Sequence, residues 1–207
     1  MVGRAVFTGS LRDRPVQRGV RLLAGLLVFG VSLALLIKAG LGLDPWDVFA
    51  QGFSRRTGLS IGTVTIVTSL LLLLAWIPLR QRVGLGTLAN ALVVGLVIDA
   101  GLTLLPDPPG LAGQIAYLVV AVLGSGVGSG LYIGAGWGPG ARDGIMTGLA
   151  ARGIPLYLAR AAIELSALLI GWLLGGSVGI GTIVFALAIG PVVGLLLPRL
   201  AIRPATG

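Results

Sequence analysis

The chain contains no cysteine and no histidine. Together these absences exclude disulfides, thiol nucleophiles, imidazole acid–base chemistry and the usual zinc or haem ligands. Neither a metal nor a cofactor is therefore expected. Charge is scarce as well: 11% of the 207 residues are charged, where a soluble domain carries roughly 25%. Hydrophobic residues make up 56% of the chain and the mean hydropathy is +1.02, so the solvent for most of it is lipid. The 35 glycines fit that setting, because small residues let membrane helices approach closely. The formal net charge of +8 does not indicate nucleic acid. The arginines flank apolar segments, where they set topology and meet anionic headgroups, and no basic stripe is interleaved with aromatic residues.

A bilayer-spanning helix needs about 20 mostly apolar residues. Six stretches qualify, running from about Gly19 to Ile37, Ile61 to Leu79, Leu85 to Leu105, Ala112 to Ala135, Leu156 to Leu174 and Ile180 to Leu197. The first continues to Lys38 with no small-residue cleavage site, which predicts a retained helix rather than a signal peptide. Six spans place both termini on one side. Arg4, Arg12, Arg14, Arg18, Arg21, Arg80, Arg82, Arg142, Arg152, Arg199 and Arg203 fall on that side, against Lys38, Arg55 and Arg56 opposite. Both termini are therefore expected in the cytoplasm of a bacterial cell, with the spans in its inner membrane.

The chain is a duplication. Gly40–Gly58 (GLGLDPWDVFAQGFSRRTG) returns as Gly136–Gly153 (GWGPGARDGIMTGLAARG), pairing Gly40 with Gly136, Gly42 with Gly138, Asp47 with Asp143 and Arg56 with Arg152 at an offset of 96. After Arg152 the offset becomes 95, and VGLGTLANALVVG (Val83–Gly95) falls on VGIGTIVFALAIG (Val178–Gly190). Three spans per half is an odd number, so the halves are expected to lie in opposite orientations about an axis in the membrane plane, as many transporters do. The chain then divides into a basic N-terminal segment (1–18), a first three-helix repeat (19–105), a turn (106–111) containing PDPPG, a second repeat (112–197) and a tail (198–207).

Each repeated segment predicts a short helix between its half's first and second spans. Asp44 and Pro45 suit an N-cap and first helical position, and Trp46, Phe49, Ala50 and Phe53 form an apolar stripe. Gly58 and Gly153 are the expected stops. Two placements compete: an amphipathic helix lying in the headgroup layer, or a re-entrant segment dipping among the spans. In the second, the lead-in glycines Gly40, Gly42, Gly136, Gly138 and Gly140 would expose backbone amides to a cavity.

Charges at membrane depth are functional candidates by default. Glu164 lies two turns into the fifth span and one turn beyond Arg160, either as the neutralising partner of a snorkelling arginine or as a proton, cation or substrate site. The matching positions in the first half are Thr65 and Ser69. Asp99 is a further site candidate near the outer interface. Asp47 and Asp143, the acidic pair kept by the duplication, serve either as first-turn dipole partners or as ties to Arg56 and Arg152. Trp46, Arg142, Ser69 and Asn90 complete the candidate substrate or coupling residues. Gly84, Gly86 and Thr87, with Gly179, Gly181 and Thr182, are expected in close helix packing, and Gly190–Pro191 is expected to interrupt the sixth span.

On GLGLDPWDVF, RRTGLSIGT, IPLRQRVGLGTLAN, LYIGAGWGPGARDGIMTGL and VGIGTIVFALAIGP, the chain resembles the YczE-like family of bacterial integral membrane proteins, grouped with the YitT and YyaS proteins, from about Arg18 to Leu197. The resemblance implies a polytopic inner-membrane protein and carries over no catalytic residue.

The fold expected is thus an all-α polytopic membrane protein with six spans in an inverted three-plus-three repeat. Its expected function is a small permease for a small-molecule solute, with alternating access between the halves. A membrane-embedded binding or accessory module without flux of its own is the alternative. An intramembrane enzyme is disfavoured, since only Asp99 and Glu164 would supply acid–base chemistry. The bilayer is the first partner, and the small size of the bundle favours a homodimer.

Overall fold

The computed structural model describes residues 13–202. Arg4, Arg12 and Arg203, and with them most of the basic N-terminal segment and the end of the tail, lie outside the described residues. Among the described residues eight helices follow in order: α1 (Pro15–Ala39), α2 (Pro45–Thr57), α3 (Ile61–Leu79), α4 (Leu85–Leu104), α5 (Gly110–Gly134), α6 (Ala141–Ala150), α7 (Leu156–Leu173) and α8 (Ile180–Leu200). Among the described residues six of them, all but α2 and α6, are long and apolar enough to cross a membrane. At about 1.5 Å per residue, α2 and α6 are roughly 20 and 15 Å long, short of a hydrocarbon layer about 30 Å thick.

Local chemistry sets the ends. Asp44 caps α2, its Oδ1 accepting the Asp47 N–H at 2.7 Å, and Ser60 caps α3 by accepting from Thr63 N–H at 3.1 Å. Gly58, at φ 76°, closes α2 in the left-handed conformation open to glycine. Three boundaries depart from the sequence reading. Helix α1 begins at Pro15 rather than Gly19, because Arg18 is not a free interfacial charge: its fully buried guanidinium donates to Asp13 Oδ2 at 2.6 Å and to Ala135 O at 2.7 Å. Helix α5 begins at Gly110, inside the expected turn. Helix α8 runs through Gly190, Pro191 and Pro198 without a break.

The centre of the bundle is the crossing of α1 on α5. A Cβ on Gly25 would lie 2.5 Å from Tyr132 N, and one on Gly128 2.7 Å from Phe29 N, so only glycine admits this approach. Helix α4 then packs on α1, where Gly30 faces Val97, and α8 packs on α5, where Gly126 faces Val192. These are corresponding residues of the two halves. The lead-ins correspond too: Gly86 N–H donates to Trp137 O and Gly181 N–H to Leu41 O, both at 2.8 Å. Gly42 and Gly138 sit at φ 116° and 123°, Gly40 and Gly136 at 68° and 74°. Gly84, Gly86, Gly179 and Gly181 therefore pack less against neighbouring helices than against the lead-in backbone of the opposite half.

Helices α2 and α6 each pack against α3 and α7. Gly52 lies under Leu174 of the α7 end, and its counterpart Gly148 lies under Leu79 of the α3 end. One contact is not duplicated. Helix α3 packs closely on α4, with Gly95 against Ile66 and Asp99 accepting from Gly62 N–H at 2.8 Å and Ser60 Oγ–H at 2.5 Å. In the second half the matching residues are Tyr157, Gly190 and Gly194; Tyr157 is exposed, both glycines face open space, and α7 and α8 stand apart.

Candidate functional site where the short helices meet

The N-terminal turns of α2 and α6 meet in the interior of the bundle. Asp44 is 4% and Asp47 1% exposed. Arg142, in the first turn of α6, reaches across with Nη1 3.7 Å from Asp44 Oδ2, and its guanidinium lies 5.4 Å from the centre of the Trp46 ring. Arg142 is thereby half-buried at the first turn of α2, in contact with the other half of the chain. The arrangement joins the halves through residues almost 100 positions apart. A buried carboxylate that lacks a partner is costly, and Asp44 escapes that cost through the hydrogen bond its Oδ1 accepts from Asp47 N–H and the positive charge of Arg142 beside its Oδ2.

Asp47 does not. Its Oδ2 is buried without a hydrogen-bond partner among the described residues, and so is the indole Nε1 of Trp46. Both residues line a small cavity of about 10 Å³ with Thr65, Thr68, Ser69 and Arg142. That is about the room one water molecule needs. The cavity adjoins a larger groove of about 540 Å³ between α3 and α7, floored by the Trp46, Phe49 and Phe53 stripe of α2 and walled by Val64, Val67, Leu71, Ile163 and Ile170. Trp46, Phe49, Thr68 and Leu72 line both spaces. The aromatic stripe predicted for α2 thus faces a groove between α3 and α7, and Gly52 is what lets the helix lie so close to the end of α7.

On the α6 side, Gly140 has no capping side chain. Asn90 Oδ1, Asp143 Oδ2 and Tyr132 OH instead surround the place where its Cβ would be, at 3.3 to 3.4 Å. Arg160 and Glu164 form an ion pair at 2.9 Å on a partly exposed face of α7. Asp99 is elsewhere, holding the start of α3. Arg152 donates to Pro78 O at 2.5 Å and Leu79 O at 3.2 Å at the end of α3, and Arg55 to Ser177 Oγ at 3.2 Å in the α7–α8 connection, so each ties the end of a short helix to the neighbouring chain. Gln51, unassigned by sequence, accepts from Ser177 N–H at 2.7 Å.

The structure therefore brings together Trp46, Asp47, Ser69 and Arg142, adds Asn90, Asp143 and Gly140 on the α6 side, and separates Asp99. Sequence reasoning passed over Thr68 and the role of Asp44 in the junction. The signal for the first was present: Thr65, Thr68 and Ser69 fall on one face of a largely apolar span.

Six membrane-length apolar helices around two short ones make this a polytopic integral membrane protein. Residues 16–198 match the family of unknown function DUF6198. The chain is 37% identical over 184 residues to an uncharacterised protein of Haemophilus influenzae, covering 88% of this chain and 84% of the relative. It is 32% identical over 193 residues to the uncharacterised membrane protein YczE of Bacillus subtilis, covering 91% and 89%. A third relative, YyaS of Bacillus subtilis, is 28% identical over 114 residues, 53% of this chain and 56% of that one. The chain belongs to the DUF6198 family and is a YczE-like membrane protein. No solved structure matches it.

Proposed function

We propose that this protein is a small permease of the bacterial inner membrane that moves a small-molecule solute past the junction of α2 and α6. In this reading the two halves are inverted repeats, α2 and α6 are re-entrant segments entering from opposite faces, and both termini are cytoplasmic. The observation that carries it is the reciprocal lead-in contact, Gly86 to Trp137 and Gly181 to Leu41, with Arg142 meeting Asp44 between them. Each lead-in rests on the first turn of the other half's last span. Movement of one half against the other therefore acts on both short helices, which is what alternating access requires. No catalytic step is assigned to any residue.

Asp47, Arg142 and the Thr65–Ser69 face form the solute site, and opposite reading directions of the halves supply two gates. Two measurements test this. In whole cells, Arg55→Cys and Arg152→Cys should be labelled from opposite faces of the membrane by an impermeant maleimide. In proteoliposomes, solute flux should be lost in Asp47→Asn and kept in Lys38→Ala, which alters only an exposed pair with Asp107. Labelling of both cysteines from one face would refute the inverted arrangement. Stoichiometric co-purification of a partner, with no flux by the purified chain, would favour the accessory-module reading instead.

A further inference from the structure

We infer that the ligand of this site is a single-chain aliphatic primary ammonium ion, its alkyl chain lying in the α3–α7 groove and its head in the cavity at Asp47. The inference rests on the permease reading only for the location of the site, and it commits to the chemistry of the occupant.

Three observations converge. First, the groove of about 540 Å³ is within the roughly 300–1,000 Å³ of small-molecule sites. Its walls are apolar side chains relieved by a few hydroxyls, and a ligand reaches it laterally, between two spans that do not pack on each other. An aliphatic chain arriving from the bilayer core suits that shape and chemistry. Second, the groove leads into the cavity of about 10 Å³, so the polar end of the ligand is compact. An –NH3+ group is close to water in size, whereas a trimethylammonium or phosphodiester head is not.

Third, the junction holds more carboxyl groups than cations. Asp44, Asp47 and Asp143 stand around the junction with Arg142, while Arg160 and Glu164 neutralise each other. Arg142 is engaged with Asp44, and Asp47 Oδ2 is left buried without a partner. An ammonium group donates three hydrogen bonds and accepts none. Asp47 Oδ2 takes one, and the hydroxyl oxygens of Thr65, Thr68 and Ser69, all lining the same cavity, have lone pairs for the others. The Thr65 hydroxyl already donates to Ile61 O at 2.9 Å, which turns its oxygen into an acceptor. A carboxylate head would instead meet Asp47 as a like charge.

The test uses the full chain in nanodiscs of phosphatidylcholine alone, so that membrane charge does not concentrate cations. Three probes share one diazirine-bearing twelve-carbon chain and end in a primary amine, an alcohol or a carboxylic acid. After photolysis, crosslinks are mapped by peptide mass spectrometry, with unlabelled dodecylamine as competitor. Saturable labelling of α2, α3 and α7 by the amine is expected, at least about 10-fold stronger than by either other probe. Asp47→Asn should remove that preference. Thr68→Trp, which fills the junction of groove and cavity, should reduce labelling by all three and serves if the Asp47 variant fails to fold.

Equal labelling by the three heads, preference for the acid, or preference for the alcohol overturns the inference; the alcohol is the sharpest rival, since it donates to Asp47 and accepts from Trp46 Nε1. An unchanged amine preference in a folded Asp47→Asn protein overturns it too. The two readings fail separately. Selective amine binding without flux in proteoliposomes leaves the ligand assignment and removes transport, whereas Asp47-dependent flux of another solute without amine binding does the reverse.

Discussion

Replacing Gly42 or Gly138 by alanine should destabilise the protein by about 2–5 kcal/mol at either position, and the occurrence of a loss at both is the informative part. Both glycines have positive φ, 116° and 123°, a backbone region that costs an L residue about 1–2 kcal/mol. A Cβ on Gly42 would also lie 2.6 Å from Gly179 N and 2.8 Å from Thr182 Oγ1, and one on Gly138 2.5 Å from Thr87 Oγ1 and 3.2 Å from Gly84 Cα. Overpacking of that kind adds about 1–3 kcal/mol. The closest atom is backbone in the first case and side chain in the second, so Gly42→Ala should be the costlier of the two. Gly190→Ala and Gly194→Ala are the matched controls. Both face open space inside α8, where alanine gains up to about 1 kcal/mol of helix propensity. Reversible unfolding of the purified protein in mixed micelles, titrated with denaturing detergent and followed by tryptophan fluorescence, measures all four. A neutral result at either Gly42 or Gly138, with the other destabilised, would refute the claim that the lead-ins are equivalent elements of one duplicated interface.

Other outcomes follow from single contacts. Asp99→Ala should cost about 1–3 kcal/mol by leaving Gly62 N–H and Ser60 Oγ–H without their acceptor, and should leave ligand binding and flux intact, as unfolding and transport assays would show. Glu164→Gln should change stability by less than about 1 kcal/mol, because its i,i+4 pair with Arg160 is partly exposed; loss of flux in that variant would move the site toward α7. Gly25→Leu should prevent the folded bundle from accumulating, since no side chain fits the crossing of α1 on α5, and size-exclusion chromatography of the extracted protein would report it. Arg18→Met should cost several kcal/mol by leaving Asp13 and the Ala135 carbonyl without their donor, a loss visible in the same unfolding assay.

Much of the architecture was legible because its causes are local. Asp44, Pro45 and Gly58 fix the ends of α2 through capping and backbone preference, and apolar run length fixes the six spans. The duplication is a property of the letters themselves: it pairs Gly42 with Gly138, and the two share a positive φ, 116° and 123°. Trp46, Asp47, Ser69 and Arg142 were marked as polar or aromatic groups in an apolar chain. What joins them was not, since the sequence offered Arg142 as a charge on the membrane face and gave no reason to set it beside Asp44.

Sequence alone thus determined the membrane setting, the helices and the two related halves, because hydropathy, capping and glycine preference act over a few residues. Tertiary structure alone decided that α2 and α6 meet tip to tip at Asp44 and Arg142, that Asp47 is left without a partner beside a groove, and that α3 closes on α4 while α7 stands clear of α8. The first two outcomes depend on packing between segments nearly 100 residues apart, the third on contacts within each half. There the replacement of Gly62 by Tyr157 and of Asp99 by Gly194 gives two similar halves different neighbours, a consequence that appears only once the chain is folded.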